Sequence, residues 1–314
     1  MKISRLIGPG TSEVVEADDP VPGDDQVLVE VLACGVCTSD LGAWLGHDPG
    51  RPPVRLGHET AGRVVAVGRD AERWQPGEIV TGLGAEGFAT LAVLDANALL
   101  PVPVGIEPAH ALGEPVACLE EALSRTEIRP GDRVAVAGLG FMGLGLVQLA
   151  ARHAPGLLVG VDPDPARRRR ALALGCDLAF APEELPEQYR AGTGRDGEAR
   201  FDLVLEATGS TPGLATAGSL VRPFGTLCVV GYHHSGDAMM DMDLWYKAVT
   251  VVNGFCPDRR RTLAAMARVL ELIAARRFSY APLITHSFGL DQVDEAFRTM
   301  HAAGPDFVKG VIVP

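Results

Sequence analysis

The pattern of apolar and polar positions changes texture once along this chain, near Glu114. From Gln26 to Gly87, short β-rich runs at residues 26–31, 60–67 and 78–81 are divided by the turn signals Val21-Pro22-Gly23-Asp24 and Gln75-Pro76-Gly77-Glu78. This spacing predicts a small β-barrel, preceded by a short N-terminal strand that ends at Gly8-Pro9. Beyond Glu114, apolar strands at residues 133–137, 157–161, 203–206, 227–230 and 250–252 alternate with helical stretches, as in a parallel sheet covered on both faces. One such helix carries Leu146, Val147, Leu149 and Ala150. From Arg259 onward a helix through Met266, Val269, Leu270 and Ile273 leads to Pro282-Leu283-Ile284-Thr285-His286 and a last strand at 308–313. The expected architecture is α/β. Residues 1–115 and 256–314 form the barrel domain, and a doubly wound domain at 116–255 is inserted into it.

A length of 314 residues suits two domains better than one core. With 47% hydrophobic and 22% charged residues the composition is that of a soluble globular protein. A formal charge of −12 argues against nucleic acid or an anionic membrane as partner, because both require a basic surface. Gly, Pro or charge interrupts every apolar run, and the first residues lack a signal-peptide core, so a cytoplasmic location is expected. The cysteines Cys34, Cys37, Cys118, Cys176, Cys228 and Cys256 are scattered, which favours reduced thiols over a disulfide framework.

Gly138-Leu139-Gly140-Phe141-Met142-Gly143 follows the apolar strand at 133–137 and opens a helix, the context that gives such a fingerprint its mechanism. Gly138 permits a tight turn, Gly140 lets backbone approach a pyrophosphate, and Gly143 lets helix and sheet pack closely. The helix N-terminus offers N–H groups to phosphate. Asp162 ends the next strand about 20 residues further on, where a carboxylate accepts hydrogen bonds from an adenosine ribose and repels a 2′-phosphate. NAD is therefore favoured. The run Arg167-Arg168-Arg169-Arg170 keeps NADP open, with Arg167 a candidate cofactor contact, although such a run also reads as a solvated helix face.

Ahead of this unit stand Cys37, the pair His58-Glu59, and Glu114 in Leu112-Gly113-Glu114-Pro115-Val116. Thiolate, imidazole and carboxylate together are a ligand set for a catalytic zinc with an open position. Cys34-x-x-Cys37 could instead be a redox pair or half a zinc knuckle, but no second Cys or His pair stands at matching spacing. Cys34 itself reads as a core residue. Metal and dinucleotide motifs in one chain point to hydride chemistry on an alcohol.

Together these residues resemble the zinc-dependent medium-chain dehydrogenase/reductase superfamily over nearly the full length. The likeness includes Gly57-His58-Glu59-x2-Gly62, the fingerprint unit, Pro282-Leu283-Ile284-Thr285-His286 and Lys309-Gly310-Val311-Ile312-Val313. It implies a GroES-like barrel, a Rossmann domain and one catalytic zinc at Cys37 and His58. Glu59 is then a direct or exchangeable ligand, and Glu114 falls at the next ligand position, as in the polyol (sorbitol-like) branch. Polyols or related secondary alcohols, or their ketones, are the implied substrates. A structural zinc is not expected, because Gly82-Leu83-Gly84-Ala85-Glu86-Gly87 runs straight into Phe88-Ala89-Thr90-Leu91 without the four-cysteine lobe.

The resemblance also places Gly42 where some relatives carry a proton-relay histidine, so a relay would run through Ser39 or, less directly, Thr38, or through cofactor hydroxyls or water. His47 is an alternative, though it reads as a surface loop residue. Asp40 would orient its neighbours, and Lys309 would meet the cofactor pyrophosphate. Thr208 and Gly231, at two strand ends, are candidate cofactor contacts. His233 and His234 receive no catalytic role. The strand Val249-Thr250-Val251-Val252 resembles the edge through which relatives pair, implying a homodimer or homotetramer. Two other readings stand beside this one: a zinc-free quinone or enoyl reductase on the same scaffold, and a non-catalytic NAD(P)-binding sensor.

Overall fold

The computed structural model describes residues 1–84, 86–190, 200–233, 239–302, 304 and 306–314. In chain order the elements are β1 (Lys2–Gly8), β2 (Thr11–Glu16), β3 (Gln26–Gly35), α1 (Thr38–Gly46), β4 (Val54–Arg55), β5 (Glu59–Val67), β6 (Ile79–Leu83), β7 (Leu91–Asp95), β8 (Leu99–Pro101) and α2 (Gly113–Ser124). There follow β9 (Arg133–Ala137), α3 (Phe141–Ala151), β10 (Leu157–Val161), α4 (Pro165–Leu174), β11 (Leu178–Phe180), α5 (Glu187–Arg190), β12 (Phe201–Glu206), α6 (Thr211–Leu220), β13 (Val221–Val229), α7 (Asp243–Tyr246) and β14 (Thr250–Asn253). The chain closes with α8 (Arg259–Ala274), β15 (Ile284–Phe288), α9 (Val293–Ala302) and β16 (Lys309–Ile312). Two compact units result, Met1–Ala117 with Asp258–Pro314, and Cys118–Pro257.

The first unit is built on a sheet ordered β15-β16-β3-β5-β6-β8, with β7 also paired to β3. Val27, Val29 and Val31 of β3 lie in its core with Val64, Val80 and Leu94, as expected of β-branched and apolar positions on a covered sheet. Helix α9 is amphipathic, burying Val293, Ala296, Phe297 and Met300 at helical spacing. Phe297 stacks on Trp44 at 5.3 Å, and Trp44 Nε1 donates to Asp294 at 2.8 Å. These contacts anchor α1. Its own sequence, which includes Gly42 and Gly46, is a poor helix former, and it was not anticipated. The same packing buries His47 just past α1 to 7% exposure, so His47 is not the surface loop residue expected from its position.

The second unit is a parallel sheet ordered β11-β10-β9-β12-β13-β14, so that its third, second, first, fourth, fifth and sixth strands lie side by side. That is the order of a doubly wound dinucleotide-binding fold, whose switch point falls between β9 and β12. Strands β9 and β10 have the bounds the apolar pattern predicted. Strand β13 begins earlier than expected. Around Pro223 and Gly225 an irregularity in the β12–β13 register lets pairing continue on both sides. Helix α4 is capped by Asp164, which accepts from Ala166 N and Arg167 N, and it stops at Gly175 with φ of 126°.

Candidate functional site

Cys37, His58 and Glu59 offer one ligand atom each, and these atoms all lie within 4.8 Å of one another. Local structure explains the convergence. Cys37 is the N-cap of α1 just after β3, and Glu59 opens β5, where it pairs with Gly35. A Cβ at Gly35 would run into Glu59 Oε2, so a glycine opposite is what lets that carboxylate turn inward. Asp40 holds His58 from behind: His58 Nδ1 is 3.2 Å from Asp40 Oδ1, and Gly57 N donates to Oδ2 at 3.2 Å. Nε2 is thereby left facing the site, 3.3 Å from Ser39 Oγ, and that hydroxyl also donates to Cys37 Sγ at 3.2 Å. Burial works against a charge on His58, but its hydrogen bonds to Asp40 and Cys37, and their charges, outweigh it and hold the imidazole up at about 11. The donor set fits a zinc ion: soft sulfur, imidazole nitrogen and carboxylate oxygen at mutual distances one ion can span.

Glu59 is fully buried, and Lys309 Nζ approaches its two oxygens at 2.7 and 2.6 Å. Burial opposes the Lys309 ammonium, but the Glu59 charge, with those of Cys37 and Glu114, more than offsets it and raises the pKa. Lys309, which the resemblance offered to the cofactor pyrophosphate, is 4% exposed and bonded to Glu59 of its own unit. Glu114 stands in the first turn of α2, near enough to act on Lys309 but outside the group of three. Gly113 N donates to Thr81 Oγ1 at 2.8 Å, and Tyr280 Oη donates to Leu112 O, which fixes where α2 begins. Cys34 is fully buried, which raises its thiol pKa strongly, and Thr60 Oγ1 lies 3.7 Å from its sulfur. It is a core thiol.

In the second unit Gly138 has φ of 88°, a Cβ at Gly143 would strike Gly138 O, and a Cβ at Gly140 would meet nothing within 4 Å. The tight turn and the close packing thus fall on Gly138 and Gly143 as expected. Phe141 and Met142 begin α3, with Phe141 buried. Asp162, at the end of β10, is buried; its Oδ2 accepts from Leu139 N at 2.8 Å and its Oδ1 from Asp164 N at 2.8 Å. Arg167 lies 3.9 Å from both Asp162 and Asp164, and Arg168 donates to the carbonyls of Asp162 and Pro163 at 2.8 Å. These two arginines turn back on the strand end, so only part of the basic run is a solvated face. His234, Ser235 and Gly236 lie outside the described residues.

Sequence reasoning overlooked Glu206, the last residue of β12, which is fully buried. Its Oε1 accepts from Thr208 N at 2.7 Å, from Gly209 N at 3.0 Å and from the Thr208 hydroxyl, while Oε2 lies 3.2 Å from His233 Nε2. The available signal was an acidic residue ending an apolar strand directly before Ala207-Thr208-Gly209. Thr208 and Gly231 both border this carboxylate, and a Cβ at Gly231 would come within 2.9 Å of Glu206 Oε2.

Residues 23–104 match the family model described as the alcohol dehydrogenase GroES-like domain, and residues 142–274 match the zinc-binding dehydrogenase model. A sorbitol dehydrogenase of Halalkalibacterium halodurans is 27% identical over 339 aligned positions, covering 98% of this chain and 97% of the relative. An L-threonine 3-dehydrogenase of Pyrococcus furiosus is 29% identical, covering 93% and 92%. Among solved structures, the alcohol dehydrogenase TADH from Thermus sp. ATN1 superposes with a TM-score of 0.86 at 25% identity, covering 100% of this chain and 99% of that one. The two family models and the fold define a two-domain, nicotinamide-using oxidoreductase. The chain belongs to the zinc-dependent medium-chain dehydrogenase/reductase superfamily, enzymes that use NAD(P) to oxidise or form CH–OH groups.

Proposed function

We propose that this protein transfers a hydride between a secondary alcohol of the polyol, sugar-alcohol or cyclitol type and NAD, using a single zinc. The convergence of Cys37, His58 and Glu59 carries this reading. Cys37 Sγ, His58 Nε2 and a Glu59 oxygen would hold the ion, with Glu114, outside the trio, in reserve near Lys309. Bound there, zinc supplies Lewis-acid stabilisation of charge developing on the substrate oxygen, worth several kcal/mol. The protein's own groups do the rest. Asp40 holds His58 by Nδ1 so that Nε2 stays presented, the arrangement that orients metal-binding histidines. Ser39, exposed and in contact with Cys37 and His58, is placed to take the hydroxyl proton and pass it to solvent.

The cofactor would lie on the three glycines and the N-terminus of α3, with its ribose at Asp162. NAD is preferred because a 2′-phosphate would meet that carboxylate. Arg167 beside it keeps NADP as the second reading, and a Sinorhizobium meliloti 1021 protein of the same fold, 25% identical, was solved with NADP. Relatives include a sorbitol dehydrogenase and the L-galactonate-5-dehydrogenase of Escherichia coli K12, which supports polyhydroxylated substrates. Strand β14 ends its sheet, with Val251, Trp245, Tyr246 and Phe255 exposed along or beside it, and we infer that a second copy covers this edge. Among the described residues no helix is long and apolar enough to cross a membrane.

The test is an NAD- and NADP-coupled screen of polyols, inositols, amino alcohols and simple secondary alcohols, run alongside metal analysis. Turnover on a polyhydroxylated secondary alcohol with one zinc per chain is expected, and Cys37→Ser should lose both metal and rate. Full metal and full rate in that variant would refute the ligand assignment. NADH binding without metal or turnover on any alcohol would favour the sensor.

A further inference from the structure

We propose that Glu206 and His233 form a positioning clamp for the nucleotide, a pair that sets two strand-end loops in one geometry without touching the reacting atoms. The inference rests on the dinucleotide reading above. Glu206 stands where β12 ends, paired with Ala137 of β9 on one side and Val229 of β13 on the other. Its carboxylate is therefore at the C-terminal edge of the sheet, next to the switch point where ligands of such folds gather. A fully buried carboxylate is expensive unless its oxygens are met by donors. Here the donors come from two separate loops, and that makes the group a fastener.

The first loop is 207–210. Thr208 N, Gly209 N and the Thr208 hydroxyl all bond to Oε1, while Ala207 N donates to Ala137 O at 2.7 Å. Thr208 packs so closely on the fingerprint that a Cβ at Gly138 would lie 2.8 Å from its Cγ2. Displacing this loop would thus disturb the first glycine of the phosphate turn. The second loop is 230–233. Val230 N and Gly231 N donate to Glu206 O at 2.8 and 2.9 Å, and His233, with its side chain 11% exposed, reaches back to Oε2. The two loops touch: a Cβ at Gly209, whose φ is 63°, would stand 2.5 Å from Tyr232 O. Glycines at 209 and 231 make room for the closure, and the Glu206–His233 contact is the side-chain bond that fixes it.

His233 can be removed without emptying the core, so it carries the test. His233→Ala and His233→Leu delete the donor, and His233→Gln restores an N–H of similar reach. Loss of a hydrogen bond to a charged group predicts NADH binding weakened about tenfold in the first two variants, measured by fluorescence titration. KM for NAD should rise in parallel. Zinc content and KM for the alcohol should stay near those of the parent, the unfolding midpoint should fall only modestly, as one donor to a buried carboxylate is lost, and His233→Gln should recover most of the affinity. NADH affinity within about twofold of the parent in both His233→Ala and His233→Leu would overturn the clamp. So would a loss that spreads equally to alcohol KM and zinc content and is not recovered by glutamine. A parent protein that fails to bind NADH would instead remove the dinucleotide reading, and the clamp with it.

Discussion

Glu59 can be buried because Lys309 meets both of its oxygens, and the pair links two residues far apart in the chain through the pairing of three strands. Val311 of β16 pairs with Gly35 of β3, and Gly35 pairs with Glu59 of β5, which brings Lys309 onto the carboxylate. No local feature of Lys309-Gly310-Val311 announces this, and the family resemblance alone offered that lysine to the cofactor. Cys37 and His58, by contrast, could be singled out as metal donors once the nucleotide motif stood behind them, and Glu59 joined them through the family resemblance. In metal-free protein, Lys309→Ala should cost about 3–5 kcal/mol, because a buried carboxylate is left without its counter-charge. Urea unfolding measures this. Combining Lys309→Met with Glu59→Gln should restore most of the loss, and a Lys309→Ala midpoint equal to the parent's would show the pair to be dispensable.

Elements deliver these side chains with different degrees of transparency. Strands β9 and β10 and the glycine turn could be read with correct bounds, since an apolar run followed by fixed glycine offsets leaves few alternatives. Helix α1 could not, because Trp44 packing on Phe297 and bonding Asp294 overrides weak local propensity. The consequence is functional: α1 carries Ser39 and Asp40 to the site. Register matters as much as helix position. With Gly35 and Glu59 directly opposed, Gly35→Ala puts a methyl where Oε2 lies, so the variant is expected to lose zinc while NADH binding by the other unit persists. Metal analysis and NADH fluorescence on the same sample separate the two. Retention of a full zinc complement would mean that Glu59 is not needed inside the trio.

At the scale of the whole molecule, the chain assigns metal donors to one compact unit and the nucleotide fingerprint to the other. An inserted Rossmann domain within a barrel domain could be expected from the change of texture near Glu114, whereas Glu206 acquires its meaning only when β12 and β13 are side by side. The apolar edge at β14 belongs to this scale too. Sedimentation should find a dimer or larger assembly, and Val251→Lys should shift it toward monomer; a monomeric parent would contradict the pairing. The central claim is that one zinc is bound by one thiolate, one imidazole and one carboxylate. Zinc-edge X-ray absorption on the loaded protein tests it most directly. A single sulfur neighbour at about 2.3 Å with nitrogen and oxygen neighbours at about 2.0–2.2 Å is predicted. A spectrum with four sulfurs, or with none, would contradict it.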